Sequence, residues 1–190
     1  MQVTSSEALV PNVINNSHHK TIFEIISVLL GICLIGILAQ ISIPLPWTPV
    51  PITGQTFGVA LVALSWGRRR ALSVLVGYMT LGMAGLPLFA LGKSGQLVGP
   101  SLGYLVGMVF SSYIVGFMSD KGFTKSLAKT LIAAFCGSII IFSCGLIGLS
   151  FFVPSQTLLA AGLFPFIPGD IAKNLLASII SWKLRKRATF

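Results

Sequence analysis

The sequence predicts an all-α polytopic membrane protein with six transmembrane helices, and three observations carry that reading. Of 190 residues, 54% are hydrophobic and only 9% charged, where a soluble domain carries about a quarter charged residues. The mean hydropathy is +0.91. The charges also fall in short clusters between long uncharged stretches, and residues 130–169 hold no Asp, Glu, Lys, Arg or His. Thirteen Lys+Arg against four Asp+Glu give +9. In a soluble chain that balance suggests a nucleic-acid binder. Here the clustering excludes nucleic acid as a partner and points to loops flanking a lipid bilayer.

The elements follow in order. Residues 1–19 form a polar N-terminal segment ending at His18 and His19. The apolar stretch 21–43 exceeds the about 20 residues that cross a bilayer and is too long for a signal-peptide core, so it reads as a retained first helix. Pro44, Pro46, Pro49 and Pro51 make a corner that stops it. A second block, 53–66, ends at Gly67-Arg68-Arg69-Arg70, and a third covers 71–86 before a Gly-rich loop. The fourth is 99–118, the fifth 128–150 and the sixth 169–182. One six-helix domain thus spans 20–187, followed by a tail at 188–190.

Blocks two and six are short of a full hydrocarbon core, so a re-entrant hairpin for blocks two and three competes with two spans. Burying Arg68 to Arg70 at such a tip is expensive, and six spans is the better count. The loops after helices two, four and six hold Arg68 to Arg70, then Lys121, Lys125 and Lys129, then Lys183 to Arg187. The alternate loops hold one charge, Lys93. The positive-inside bias then predicts cytoplasmic termini and a second face rich in Pro, Gly and aromatics.

Three tempting motifs fail. Gly92-Lys93-Ser94 lacks the glycine of a phosphate loop five positions earlier, where Pro87 stands. Gly99-Pro-Ser101-Leu-Gly103 matches a nucleophile elbow without a preceding strand or a histidine in reach, and reads as a helix start with a capping serine. Cys33, Cys136 and Cys144 form neither a disulfide framework nor a metal site. No cofactor is implied.

Two acidic residues fall within or at the edge of apolar blocks, Glu24 and Asp170. Glu24 suits a helix start, in a structural or partner-facing role. Asp170 has Lys173 three residues on, which places both side chains on one helix face. They are either an N-cap with its ion-pair neighbour or a donor and acceptor pair aimed into a cavity. A urea-like group suits such a pair. Gln55, with Thr53 and Thr56, either lines a pocket at the outer end of helix two or caps that helix. Trp47, Phe89 and Tyr104 lie on the same outer side, as the wall of a site or as an interfacial aromatic belt.

Five stretches together resemble the BioY family, the biotin-specific substrate-binding (S) components of energy-coupling factor (ECF) transporters. They are Pro49-Val-Pro-Ile-Thr-Gly-Gln-Thr56, Gly67-Arg-Arg-Arg-Ala-Leu-Ser73, Leu81-Gly-Met-Ala-Gly-Leu-Pro87, Gly99-Pro-Ser-Leu-Gly-Tyr-Leu105 and Pro168-Gly-Asp-Ile-Ala-Lys173. The resemblance covers about residues 21–187 and implies an ECF S-component fold of six helices in a prokaryotic cytoplasmic membrane, with both termini inside. It implies capture of biotin on the outer face and delivery inward with a coupling transmembrane protein and two ATP-binding cassette ATPases. By resemblance, Asp170 and Lys173 hold the ureido head, and Gln55, Thr53, Tyr104 and Phe89 line the pocket. The 91–95 loop, with Lys93 and Ser94, closes over the ligand. Lys93 departs from the small or amide residues of many members, and its ammonium suits the valerate carboxylate. The family docks on its coupling protein through small residues on helix one, for which Ser27 and Gly31 are the nearest match. The rival functions are capture of another vitamin, facilitation without ATPases, and an intramembrane enzyme built on Asp170 and Lys173.

Overall fold

The structure, a computed structural model, describes residues 8–9, 20–95 and 98–188. His18 and His19, most of the polar segment 1–19 and the last two residues lie outside the described residues. Helix α1 (Lys20–Gln40) leads into an antiparallel hairpin of β1 (Ser42–Leu45) and β2 (Thr48–Thr53). Then come α2 (Gln55–Met83), α3 (Leu102–Asp120), α4 (Leu127–Leu149), the short α5 (Leu158–Gly162) and α6 (Ile167–Ala188).

Among the described residues, five long helical segments stand where the sequence predicts six, because blocks two and three join across Gly67 as the 29-residue α2. It is folded back on itself at Gly67, whose φ of 74° and ψ of 175° are not helical. The fold-back is visible in its ends. The Gln55 amide Nε2 donates to the Tyr78 hydroxyl at 2.6 Å, although 23 residues of straight helix would separate them by about 35 Å. The two arms therefore traverse the bundle as an antiparallel pair, and neither reaches the about 20 residues of a full span. Length and composition qualify four other segments as membrane-crossing: Thr21–Gln40, Leu102–Asp120, Leu127–Leu149 and Ser155–Arg187.

The tip at Gly67 is held from both sides. The Arg68 backbone N–H donates to the Asp120 carboxylate at 3.0 Å, so the end of α3 supplies the cap that starts the second arm. Arg70 pairs with Glu24 at 2.7 Å, which gives Glu24 the structural half of its expected role. The Trp66 indole N–H donates to the Ser27 carbonyl at 3.0 Å. A β-carbon on Gly67 would collide with the Asp120 carboxylate.

In the sequence the β-hairpin shows only as a proline corner. It pairs Ser42 with Thr53 and Ile43 with Ile52, and its register shifts between Ile43 and Leu45, around Pro44. Proline is tolerated in a two-stranded ribbon because its missing N–H can fall at a bulge or on an edge. The ribbon ends at Thr53, two residues before α2 starts at Gln55.

The bundle is apolar outside, and its largely apolar core is threaded by buried polar groups. Ile22, Ile25, Leu29, Leu30 and Ile37 on α1 are exposed, an arrangement suited to lipid rather than water. Along α6, Asp170, Asn174, Ser178, Ser181 and Arg185 are all buried. Their spacing of three and four keeps them on one face, so a polar stripe runs the length of the helix. Ser181 meets Ser65 of α2 at 3.3 Å, and Arg185 donates to Thr124 at 2.8 Å.

Candidate functional site

The end of the bundle away from the basic clusters contains a cavity of about 250 Å³. That is near the small end of ligand pockets, which begin at about 300 Å³. Its wall is built from β2, the first turn of α2, the loop before α3, and the upper turns of α3, α4 and α6.

One side carries a relay of polar groups. The Thr53 hydroxyl donates to Gln55 Oε1 at 3.1 Å, Gln55 Nε2 donates to Tyr78 at 2.6 Å, and the Tyr78 hydroxyl donates to the Leu88 carbonyl at 2.8 Å. Gln55 is buried and its amide ties the two arms of α2 to the loop that follows them. It is therefore a pocket-lining residue and a structural one together. The Gln55 backbone N–H also donates to the Thr53 hydroxyl, at 3.3 Å.

The opposite side is α6. Asp170 is not its N-cap: the helix already begins at Ile167, and the Asp170 N–H donates to the Phe166 carbonyl at 2.8 Å. Its carboxylate instead reaches across the bundle. Oδ1 accepts from the Ser138 hydroxyl at 2.9 Å, and Oδ2 accepts from Asn174 Nδ2 at 2.9 Å. Lys173 turns the other way, donating to the Thr53 carbonyl at 3.0 Å and to the Thr56 hydroxyl at 2.8 Å. No ion pair within 4.0 Å joins the two, so the ion-pair reading of the spacing gives way to two groups separately held. Each keeps spare capacity. A carboxylate has about four acceptor sites and an ammonium three donors, and two of each are used by these bonds. Both side chains line the cavity.

The apolar wall joins three rings. Tyr104 and Phe166 lie 6.2 Å apart, and Phe166 and Phe142 6.4 Å, with Leu105, Met108 and Ile141 completing the surface. The Tyr104 hydroxyl is committed to the Gly162 carbonyl at 2.6 Å, which pins α5 over α3. Tyr104→Phe is therefore expected to lower stability by about 1 kcal/mol while leaving ligand affinity within about twofold. Thermal unfolding and a ligand titration on the same sample check both halves.

Of the residues singled out from the sequence, Asp170, Lys173, Gln55, Thr53, Lys93, Tyr104 and Phe89 all line this one cavity. Ser94 does not: it is exposed within the 91–95 loop and absent from the wall. Trp47 is also turned outward, 65% exposed. Ser101 sits just before α3 without making a capping bond, and lines the cavity instead.

Ser27 and Gly31 are likewise corrected as a docking face. Ser27 is buried, and a β-carbon on Gly31 would lie 2.6 Å from a methyl of Val74. Small residues permit close helix approach, and here that approach is to α2 of the same chain. What α1 presents outward is bulky and apolar.

The residues that sequence reasoning missed are partners rather than principals. Asn174 carried a signal, lying one helical turn after Asp170 on the same face. Ser138, Tyr78, Phe142 and Phe166 sit in apolar runs and look like ordinary core positions. Among the described residues, no group of three or more His, Cys, Asp or Glu could hold a metal.

Comparison with known proteins agrees with this architecture. The model of the BioY family matches residues 12–190. A biotin transporter BioY from Thermotoga maritima is 36% identical over 156 residues, covering 80% of this chain and 90% of that one. One from Lactococcus lactis subsp. cremoris is 31% identical over 184 residues, covering 93% and 96%. A crystal structure of the S-component for biotin from an ECF-type ABC transporter superposes with a TM-score of 0.82 at 29% identity, over 90% of this chain and 94% of that one. With its fold and nearly its whole length matched, this chain belongs to the BioY family.

Proposed function

We propose that this chain captures biotin in the cavity on the outer side of a prokaryotic cytoplasmic membrane. As an S component it then delivers biotin inward together with a coupling transmembrane protein and two ATP-binding cassette ATPases. The observation that carries the reading is that Asp170 and Lys173 face one cavity with unspent acceptors and donors, uncommitted to each other. A ureido group presents N–H donors and a carbonyl, the complement of a carboxylate and an ammonium. The aromatic and aliphatic wall suits the fused ring and its chain.

Orientation is supported by charge. Arg68 lies beside Asp120, Arg70 beside Glu24 and Arg185 beside Thr124. The basic clusters thus gather at one end and the cavity at the other, and positive-inside bias makes the basic end cytoplasmic. The chain acts as a carrier subunit rather than an enzyme, and bound ligand is expected to leave chemically unchanged. Calorimetric titration of the detergent-purified protein with biotin, using riboflavin and thiamine as controls, tests the reading. Tight one-to-one binding of biotin alone supports it, and a folded protein with no biotin heat rejects it.

Lys93 enters the cavity wall from the loop, as a partner for the valerate carboxylate. Lys93→Met is expected to weaken biotin about tenfold, within the range of one charge-assisted hydrogen bond. Biotinamide, which lacks the carboxylate, should bind parent and variant alike. Equal losses for both ligands would show that Lys93 shapes the loop instead.

A further inference from the structure

The loop from Pro87 to Gly92 contributes Phe89 and Ala90 to the cavity wall. Its placement depends on a residue outside the cavity, at the last position of α1. The two N–H groups of the Gln40 amide are shared among three carbonyls, those of Pro87 and Phe89, each at 3.3 Å, and that of Gly36 in its own helix at 3.1 Å. Its Oε1 accepts the Gly92 N–H at 3.0 Å. One side chain therefore grips both ends of the turn.

We propose that Gln40 is a positioning residue that clasps the 87–92 loop over the cavity and so sets how slowly a bound ligand leaves. The assignment rests on the capture reading above.

The backbone of this turn needs holding. Leu91 has a φ of 63°, the one positive value outside glycine among the described residues, and Gly92 follows at 68°. Glycine takes that conformation freely, but a left-handed leucine persists only where surrounding contacts over-determine it. On the inner side the loop has the Tyr78 hydroxyl on the Leu88 carbonyl at 2.8 Å. The Phe89 ring also sits edge-on to Tyr78, with centroids 5.6 Å apart. On the outer side Gln40 reaches the chain at three points. The set it serves is mixed, carbonyls at one end and an N–H at the other, and a primary amide is the side-chain group that satisfies both. Glutamate has the same length but cannot donate, and would set a negative charge against carbonyl oxygens. Leucine removes both functions. The competing role, a cap for the end of α1, uses only the Gly36 bond.

The test uses the full chain in detergent, as parent, Gln40→Glu and Gln40→Leu. It follows hydrogen exchange in peptides spanning 87–93 without ligand, and dissociation of radiolabelled biotin during a chase with unlabelled biotin. In both variants the loop peptides are expected to exchange faster and biotin to leave about tenfold faster. Association should stay within about twofold, with peptides from the α2 arms exchanging as in the parent. Unchanged loop exchange overturns the clasp. Faster exchange with parent-like dissociation overturns the retention role. A uniform rise in exchange throughout α1 and α2 identifies a helix cap and overturns the proposal too. A parent that binds no biotin sinks the capture reading and the retention role with it. A binding parent with parent-like variants sinks the Gln40 assignment alone.

Discussion

Asp170→Asn is expected to weaken biotin binding about a hundredfold, a loss of about 2.7 kcal/mol. The carboxylate is buried and accepts from two donors, the Ser138 hydroxyl and the Asn174 amide. Both bonds fix its rotamer without consuming its capacity toward the cavity. In the variant one oxygen becomes an NH2 group. If that group turns toward Asn174, donor faces donor; if toward Ser138, the hydroxyl must turn round and stop donating to residue 170; if toward the ligand, the ureido N–H groups lose their acceptor. A hydrogen bond to a charged group contributes about 1.5–3 kcal/mol, and the variant sacrifices at least one such bond in each orientation. Ser138→Ala keeps the charge and removes one positioning bond, so its loss should be about tenfold or less. Calorimetry on parent and both variants measures the ranking. An Asp170→Asn protein that binds like the parent would mean that the carboxylate only ties α6 to α4.

Gly67→Ala is expected to cost about 3 kcal/mol of stability, a large folding effect for a single methyl group. A residue at φ 74° and ψ 175° occupies a region essentially closed to side chains, at a cost of about 1–3 kcal/mol. The added carbon would also meet the Asp120 carboxylate, the group that caps the second arm through the Arg68 N–H. Thermal unfolding in detergent reads the effect, and Gly67→Ala/Asp120→Ala separates its two parts. The double variant relieves the collision but neither restores the cap nor relaxes the backbone, so it should remain well below the parent. A Gly67→Ala protein that melts with the parent would contradict the fold-back at this residue.

Much of this molecule was legible without coordinates because its signals are one-dimensional. Crossing a bilayer takes a long uncharged run, and such runs are visible wherever Thr21–Gln40 or Leu127–Leu149 is read. Lys and Arg collect in loops that flank apolar runs, so the clustering of charge is visible by counting. Asp170 and Lys173 stand out because ionisable residues at membrane depth are costly and must be justified by partners or ligands. Gln55 stands out for the same reason in milder form.

Other features were hidden for reasons that can be named. The strand pair at 42–53 carries four prolines in and beside it, which argue against strands except where a bulge or an edge excuses them. Gly67 followed by three arginines marks a turn between two helices, but not that the arginines themselves belong to the second one. The spacing of Ser27 and Gly31 announces that something approaches α1 closely, without saying what. Ser138 in an apolar helix looks like any small core residue, and Gln40 like a polar end to a span.

The line between the two groups is the range of the interaction. Membrane partition and loop charge depend on neighbours in the chain, and so the class and the candidate pair in α6 follow from residue order alone. Which way Asp170 and Lys173 turn, which helix receives Ser27 and Gly31, and which loop Gln40 grips depend on groups tens of residues away. Asp170 finds Ser138, Lys173 finds Thr53, and Gln40 finds Gly92. Those pairings exist only once the helices have packed, because a buried polar group takes whichever partner the fold brings within about 3 Å.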